Sequence, residues 1–275
     1  MSITLNEPFV MIGAGKMGGA ILKGLLAAGL DPADVVVQDP KPPADMAEFL
    51  AQHAIKPVVE IKDLAMPPAV IMTAVKPQVM DVVFPPAGKL AGPNTIVLSV
   101  AAGRSIASFE THVAKGVCVV RAMPNTPAAV GEGMTVCCGN DAMTQEQKTA
   151  CTTLLQSIGK VGWVETEVLI DAVTGVSGSG PAYVFWLAEC MAAAGIEAGL
   201  DEDLAVELAR QTVAGSGVLM AKTSQSATDL RKAVTSPGGT TEAALAVLMR
   251  EPNGLRDLMV EAVARAKKRG QDLAS

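Results

Sequence analysis

Short apolar runs alternate with segments of helical periodicity through roughly the first 165 residues of the chain. Such runs, bounded by turn residues, are typical of buried strands, whereas apolar residues three and four positions apart indicate amphipathic helices. The predicted strands are residues 9–12, 35–38, 70–75, 95–100 and 117–120, with a further pair at 133–138 and 161–164 around a helix at 144–158. This alternation indicates a mostly parallel sheet covered by helices on both faces.

The strand pattern stops near Val168, and the remainder of the chain has the periodicity of helices. The predicted helices are residues 182–198, 202–221, 227–233, 241–250 and 255–269. Asp201 is expected to cap the second of them, because its side chain can accept the first free backbone N–H groups. We therefore predict two domains, residues 1–166 with the sheet and residues 167–275 with helices alone.

The first two predicted helices of the second domain carry few charged residues. A domain of roughly a hundred residues cannot bury helices that are apolar nearly all round. We therefore predict a homodimer, in which a second copy of the chain covers these helices. The alternative is that they pack on the first domain.

A glycine-rich turn, Gly13-Ala14-Gly15-Lys16-Met17-Gly18, joins the first predicted strand to the first predicted helix. In this context the glycines permit a tight turn, close approach of a pyrophosphate and close packing of helix on strand. Asp39 ends the second strand at the distance expected of an acid that binds the adenosine ribose. The sequence thus predicts an α/β fold with a Rossmann-type, mostly parallel, doubly wound sheet, and a dinucleotide bound by residues 13–18 and Asp39.

Composition excludes several other classes of protein. The formal net charge of −6 provides no electrostatic footprint for nucleic acid. The longest uncharged stretch of the second half, residues 172–188, is broken by glycines and a proline and predicts no membrane span. No basic segment precedes an apolar core at the start, so we expect no secretory signal and a cytoplasmic protein.

Few side chains are available for metal or nucleophilic chemistry. The chain has two histidines, His53 and His112, neither of them beside an acidic or thiol cluster. Its five cysteines include no CxxC pair, and an odd number argues against a disulfide framework. We expect no metal site and no Ser-His-Asp triad, so a cofactor is expected to carry the chemistry.

A second candidate anion site lies at residues 234–241, Val-Thr-Ser-Pro-Gly-Gly-Thr-Thr, directly before a predicted helix. Free backbone N–H groups and the helix dipole favour an anion at such a helix start, and two hydroxyl groups lie beside it. An ordinary capped helix after a turn is the alternative. Two separate anion sites suggest one for a cofactor and one for a substrate.

Three further segments follow predicted strands or open a helix, where open α/β sheets bind ligands. They are the turn at residues 74–78, which contains Val75, Lys76 and Pro77; the loop at 121–128, in which two prolines bracket Asn125; and the helix start at 178–183, which contains Pro181. Each alone is more often a turn than a site, but their shared placement favours a site.

Five motifs together resemble the pyrroline-5-carboxylate reductase family. They are GAGKMG at 13–18, AVKP at 74–77, RAMPNTPA at 121–128, GSGPAY at 178–183 and VTSPGGTT at 234–241. They follow the family order over nearly the whole chain. The first motif is shared with many dehydrogenases, whereas the last is specific to this family.

The resemblance implies an NAD(P)H-dependent reduction of 1-pyrroline-5-carboxylate to proline, the last step of proline biosynthesis. It implies that Val75, Lys76, Pro77 and Asn125 lie near the nicotinamide half of the cofactor. It places the substrate carboxylate at the start of the helix after residue 239, with Ser236, Gly238, Gly239, Thr240 and Pro181 as substrate-binding residues. Thr241 is similar to the residue whose hydroxyl reaches the imine nitrogen. It also implies a homodimer with interlocking helical domains, which some members assemble into rings.

The cofactor expected from these features is NADPH or NADH. Asp39 favours the free ribose of NADH, whereas Lys41 could offset its charge toward a 2′-phosphate. The asparagine that many family members have near the adenosine is absent from residues 58–62. We expect both cofactors to work, with a slight preference for NADPH taken from the family.

Two alternatives compete with this interpretation. A β-hydroxyacid dehydrogenase would need a lysine a few residues after the Gly-Ser-Gly that starts the long helix, but none follows until Lys222. A non-catalytic dinucleotide-binding protein would need neither the VTSPGGTT segment nor a hydroxyl at Thr241.

Overall fold

The computed structural model describes residues 3–274, with side chains described through Asp272. Its first part is built on one seven-stranded sheet in the order β2-β1-β3-β4-β5-β6-β7. The strands are β1 (Phe9–Ile12), β2 (Val35–Gln38), β3 (Val70–Thr73), β4 (Ile96–Ser99), β5 (Cys118–Met123), β6 (Gly133–Gly139) and β7 (Gly159–Trp163). β2 lies on one side of β1 and β3 on the other, so the order in which strands are added reverses between β1 and β3, and this confirms the predicted Rossmann-type sheet.

Helices cover the two faces of the sheet, which explains why β1, β3 and β4 are buried along their whole length. In the described chain, the buried apolar residues form two clusters. Successive residues of β1 alternate between them, with Phe9 and Met11 in one cluster and Val10 and Ile12 in the other. The helices of this part are α1 (Lys16–Ala27), α2 (Ala44–Gln52), α3 (Pro77–Gly88), α4 (Ile106–Glu110), α5 (Gln145–Leu155) and α6 (Leu169–Val173), followed by a π-helical turn (Thr174–Gly178).

The last two strands run against the first five. β1 to β5 are mutually parallel, whereas β6 pairs antiparallel with β5 and parallel with β7. Residues 124–132 join β5 to β6 through one short 3-10 helix, Thr126–Val130. A parallel pairing needs a crossover of a dozen or more residues, so this short connection gives an antiparallel pair.

The second part is helical throughout, as the sequence predicts. Its helices are α7 (Gly180–Glu197), α8 (Glu202–Lys222), α9 (Ala227–Ala233), α10 (Thr240–Leu248) and α11 (Leu255–Ala274). Asp201 caps α8 by accepting the N–H groups of Asp203 and Leu204. None of the helices in the described part of the chain is long and apolar enough to cross a membrane.

The chain folds into two compact units. One unit extends to Gly178 and includes the end of α11 from Ala266, and the other spans Ser179–Arg265. The boundary after residue 166 stays a prediction, since the first unit continues beyond it through α6 and the π-helical turn.

Candidate active site

The glycine-rich turn leads directly from β1 into α1 at the carboxyl end of the sheet. Gly13 has φ +90°, and its N–H donates to the carbonyl of Gln38 at the end of β2, 2.9 Å away. Gly15 is the N-cap of α1, and the first turn of that helix contains no acidic residue. The free N–H groups of this helix start are therefore able to bind an anion.

The three glycines of the motif differ in how much space a side chain would have at each position. A Cβ on Gly13 would lie 2.6 Å from Cγ1 of Val75, and a Cβ on Gly18 would collide with the carbonyl oxygen of Gly13. A Cβ on Gly15 would meet nothing within 4 Å beyond its own helix and chain neighbours in the described chain. Gly13 and Gly18 are thus required by the fold, whereas Gly15 leaves open space. This arrangement fits a dinucleotide, because the backbone at Gly15 is exposed to an approaching pyrophosphate.

Asp39 follows β2 and contacts the glycine-rich turn itself. Its Oδ2 accepts the N–H of Ala14 at 2.8 Å, and its Oδ1 accepts the N–H of Lys41 at 2.9 Å. The N–H of Asp39 donates to the carbonyl of Val58 at 3.0 Å. The carboxylate is therefore held at the edge where an adenosine ribose is expected.

The turn after β3 is shaped by Pro77, which starts α3 with Lys76 as the N-cap. Proline suits the first position of a helix because it lacks the N–H that would have no partner there. The carbonyl of Pro77 accepts Nη2 of Arg104 at 3.0 Å, and the same guanidinium is paired with Asp81. Val75 is half-buried against the core beside Gly13. The AVKP turn and the glycine-rich turn are thus neighbours at one end of the sheet.

Asn125 uses both ends of its amide within the chain. Its Oδ1 accepts the N–H of Met134 at 2.8 Å, and its Nδ2 donates to the carbonyl and the hydroxyl of Ser177, each at 3.3 Å. The side chain thereby ties the loop after β5 to the π-helical turn. A cofactor contact by Asn125 stays a prediction, and its observed bonds make it first a residue that positions this loop.

The segment at residues 234–241 lies in the other unit, where it follows α9 and includes the first two residues of α10. Gly239 is the N-cap of α10 and has no side-chain cap, so the N–H groups of Thr240 and Thr241 lack acceptors within the helix. Gly238 has φ +69°, and its N–H donates to the carboxylate of Glu242 at 2.7 Å. Thr241 is half-buried in the first turn. The N–H groups of Thr240 and Thr241 are therefore able to bind an anion, whereas the N–H of Gly238 is already bonded to Glu242.

The cysteine thiols of the first unit offer no reactive nucleophile. Burial raises the pKa of Cys118 and of Cys137 to about 12, and it also raises the pKa of Cys138 and Cys151. A thiol with so high a pKa is hardly ever a thiolate near neutral pH. Within residues 3–272, no group of three His, Cys, Asp or Glu side chains is placed to hold a metal ion.

Known proteins similar to this chain share both parts of the fold. The family model "Pyrroline-5-carboxylate reductase dimerisation" matches residues 167–273, and "NADP oxidoreductase coenzyme F420-dependent" matches residues 8–103. The pyrroline-5-carboxylate reductase of Synechocystis is 39% identical over 99% of both chains. That of Pseudomonas aeruginosa is 35% identical over 96% of this chain and 95% of its own. The chain belongs to the pyrroline-5-carboxylate reductase family.

Solved structures of pyrroline-5-carboxylate reductases have the same fold. The structure from Coxiella burnetii covers 98% of this chain and all of its own, with 33% identity and a TM-score of 0.90. The Plasmodium falciparum structure, which has NADP bound, covers 98% of this chain and 99% of its own, with 27% identity and a TM-score of 0.81. The family resemblance and the fold class expected from the sequence are thus confirmed.

The pyrroline-5-carboxylate reductase motifs fall into the two units separately. The glycine-rich turn, Asp39, the AVKP turn and the loop with Asn125 belong to the first unit, and Pro181 and the SPGGTT segment belong to the second. Pro181 lies in the first turn of α7. The structure brings the cofactor candidates Gly13 and Val75 together, and it brings Asp39 onto Ala14.

A buried ion cluster close to these motifs was missed by sequence reasoning. Arg121, on β5, places Nη1 3.0 Å from Oε1 of Glu167 and Nη2 3.4 Å from Oδ1 of Asp171. Oε1 of Glu167 also accepts the N–H of Ile106 at 2.9 Å. Two features of the sequence could have indicated this cluster. An arginine directly follows the apolar run at 117–120, and two acids lie four residues apart near the end of the sheet domain.

Proposed function

We propose that the protein reduces 1-pyrroline-5-carboxylate to L-proline with NADPH or NADH, as the last step of proline biosynthesis. The observation that carries this proposal is near full-length similarity to proteins named pyrroline-5-carboxylate reductase, at 34 to 39% identity. The open backbone at Gly15 and the uncapped start of α10 support it, because they offer separate sites for a pyrophosphate and a carboxylate.

The proposed reaction is hydride addition to C5 of the cyclic imine, which converts the C=N bond into a C–N single bond. The reduced nicotinamide supplies the hydride when it is bound. A protonated imine is already a good electrophile and retains its proton as the amine, so no strong protein acid is needed. The contribution of the protein is therefore mainly to bind the anionic groups and to orient the ring.

In this proposal the start of α10 binds the substrate carboxylate. The N–H groups of Thr240 and Thr241 are without helical acceptors, and the hydroxyl of Ser236 lies in the same turn. Gly238 and Gly239 let the backbone approach the carboxylate, and Pro181 completes the proposed set of substrate-binding residues. The hydroxyl of Thr241 orients the ring through its nitrogen.

Replacement of Thr241 by alanine tests the reaction and the substrate site together. We expect Thr241→Ala to lower kcat by 10- to 100-fold, because a hydrogen bond to a charged group contributes about 1.5–3 kcal/mol. The measurement follows NAD(P)H absorbance with pyrroline-5-carboxylate at saturating cofactor. Thr241→Ser retains a hydroxyl and is expected to recover most of the activity.

The possible results separate three conclusions. Turnover with a large loss in Thr241→Ala supports both the reaction and the contact. Turnover that Thr241→Ala leaves unchanged supports the reaction and moves the imine contact to another residue. No turnover by the native chain with either cofactor contradicts the proposed function and favours a non-catalytic dinucleotide-binding protein.

We further propose that the functional form is a homodimer built on α7 and α8. The matched dimerisation model covers these helices. Phe185 and Trp186 are 61% and 64% exposed on α7, and Leu208 is 48% exposed on α8. Large apolar side chains exposed in such number mark an interaction surface. A second copy of the chain would remove them from water.

Introducing a charge into this surface is expected to separate the subunits. Trp186→Glu would bury an unpaired carboxylate between two copies, and a cost of about 3 kcal/mol weakens dimerisation by more than 100-fold. Sedimentation should then show the 28.2 kDa chain as a monomer. Activity should fall with the dimer, since the family resemblance implies that both subunits build the substrate site.

The matched control is Val82→Glu, on an exposed position of α3 in the other unit, where Val82 is 76% exposed. It adds the same charge and is expected to leave the assembly unchanged. A Trp186→Glu protein with the native mass in solution would contradict the proposed interface.

The proposed compartment is the cytoplasm, which the five free cysteines favour because reducing conditions keep thiols free.

A further inference from the structure

The adenosine end of the proposed cofactor site is marked by the fixed carboxylate of Asp39. Each of its oxygens accepts one backbone N–H, from Ala14 at 2.8 Å and from Lys41 at 2.9 Å. Ala14 lies between the first two motif glycines, so the carboxylate is attached to the glycine-rich turn. The side chain therefore has little freedom to turn away from a bound nucleotide.

The position of Asp39 is that of a ribose-binding acid. It directly follows Gln38, which pairs with Ile12 at the end of β1, beside the point where the strand order reverses. An acid at this position of a doubly wound fold accepts the 2′-hydroxyl of the adenosine ribose. A carboxylate has about four acceptor positions. Two remain after the bonds to Ala14 and Lys41, enough for ribose hydroxyl groups.

The charges around this position disfavour a phosphate on the same ribose. Val58 pairs with Gln38 and accepts the N–H of Asp39, so the segment after Val58 runs beside the end of β2. Glu60 of this segment is paired with Lys62 at 3.9 Å, which leaves Asp39, of these two acids, as the unpaired negative charge. Among residues 3–272, no lysine or arginine nitrogen is within 4.0 Å of the Asp39 carboxylate, and Lys41 contacts it through its backbone alone. A 2′-phosphate on this ribose would thus lie beside a fixed carboxylate whose own charge is not paired with a lysine or arginine.

We propose that Asp39 makes this chain prefer NADH to NADPH. This inference rests on the proposed function for the reaction, but it concerns the affinity of the nucleotide alone. It reverses the slight preference for NADPH that the family resemblance led us to expect. The structural reason is the bond to Ala14, which holds the carboxylate on the glycine-rich turn.

Binding measured without substrate tests the inference independently of catalysis. Titration of the full chain with NADH and NADPH, followed by nicotinamide fluorescence, gives a Kd for each. We expect the native chain to bind NADH at least tenfold more tightly. In Asp39→Ser, which removes the charge and puts a hydroxyl in place of the carboxylate, the Kd ratio should move toward NADPH by about 100-fold. The ratio of kcat/KM values for the two cofactors should move in the same direction.

Two further variants keep the result interpretable. Asp39→Asn preserves the shape of the side chain and removes its charge, so it serves if Asp39→Ser unfolds. Asp45→Asn is the matched control, because Asp45 is an exposed residue of α2 paired with Lys23 and is expected to leave the ratio unchanged.

Equal affinities in the native chain, tighter binding of NADPH, or a ratio unaffected by both Asp39 variants would overturn the inference. A chain that prefers NADH in binding but reduces no pyrroline-5-carboxylate would contradict the proposed function and support the inference. A chain that reduces the imine faster with NADPH and binds NADPH more tightly would support the function and overturn the inference.

Discussion

Gly15→Val is expected to abolish high-affinity binding of both nicotinamide cofactors and to leave the fold intact. The Cβ at this position would meet nothing within 4 Å in the described chain beyond its own helix and neighbours, so a side chain fits there without nucleotide. That space is where the pyrophosphate must approach the backbone N–H groups. We expect the Kd for NADH and NADPH to rise at least 100-fold, about 2.7 kcal/mol. Fluorescence titration measures the Kd.

Thermal unfolding of the free protein is the control for this variant. Gly15 has φ −69°, a value that valine adopts, so the loss of stability should stay below about 1 kcal/mol. Gly18→Ala, in contrast, is expected to lower the stability of the free protein. Its Cβ would collide with the carbonyl oxygen of Gly13 and lie 2.9 Å from Cβ of Ala74. This variant should unfold at lower temperature. Native affinity in Gly15→Val would mean that the pyrophosphate binds elsewhere.

The different roles of these glycines follow from sequence context, and so do most strands. β1 and β2 begin and end at the residues that their apolar runs predict. Strands buried on both faces produce uninterrupted apolar runs, and such runs are recognised without knowledge of tertiary structure. The start of α10 could also be predicted from the sequence, because proline, two glycines and threonine are local signals for a helix start.

The features that sequence reasoning missed depend on contacts between distant residues. The antiparallel direction of β6 follows from the short path of the chain after β5, which an apolar run does not reveal. A cofactor contact by Asn125 stays a prediction, whereas its amide partners, Met134 and Ser177, were not foreseen because they are determined by how the loop and the π-helical turn meet. The contact of Asp39 with Ala14 likewise joins the ends of two neighbouring strands.

The charged cluster of Arg121 is the clearest case of a long-range arrangement. Its partners, Glu167 and Asp171, follow 46 and 50 residues later in the chain. The cluster connects β5 to the segment that leads through α6 into the π-helical turn. Because Asn125 on the β5 side also bonds to Ser177 of that turn, ionic and amide contacts hold the same two segments together.

Arg121→Met is expected to lower the free energy of unfolding by about 3–5 kcal/mol. The Arg121 side chain is 7% exposed, that of Asp171 is 12% exposed, and that of Glu167 is 28% exposed, so Asp171 is expected to contribute most of the loss. Methionine fills part of the space but leaves two carboxylates without their cation, and an unpaired buried charge is costly. Urea unfolding measures the change, and the thermal midpoint should fall by about 10 °C.

Two further variants test whether unpaired buried carboxylates cause the loss of stability in Arg121→Met. Arg265→Met removes an arginine that is 81% exposed and paired with Glu261, and we expect a loss below about 0.5 kcal/mol. Adding Glu167→Gln and Asp171→Asn to Arg121→Met removes the unpaired charges and should recover part of the stability. If the triple variant is as unstable as Arg121→Met, loss of packing around β5 is the cause, and the carboxylates contribute little.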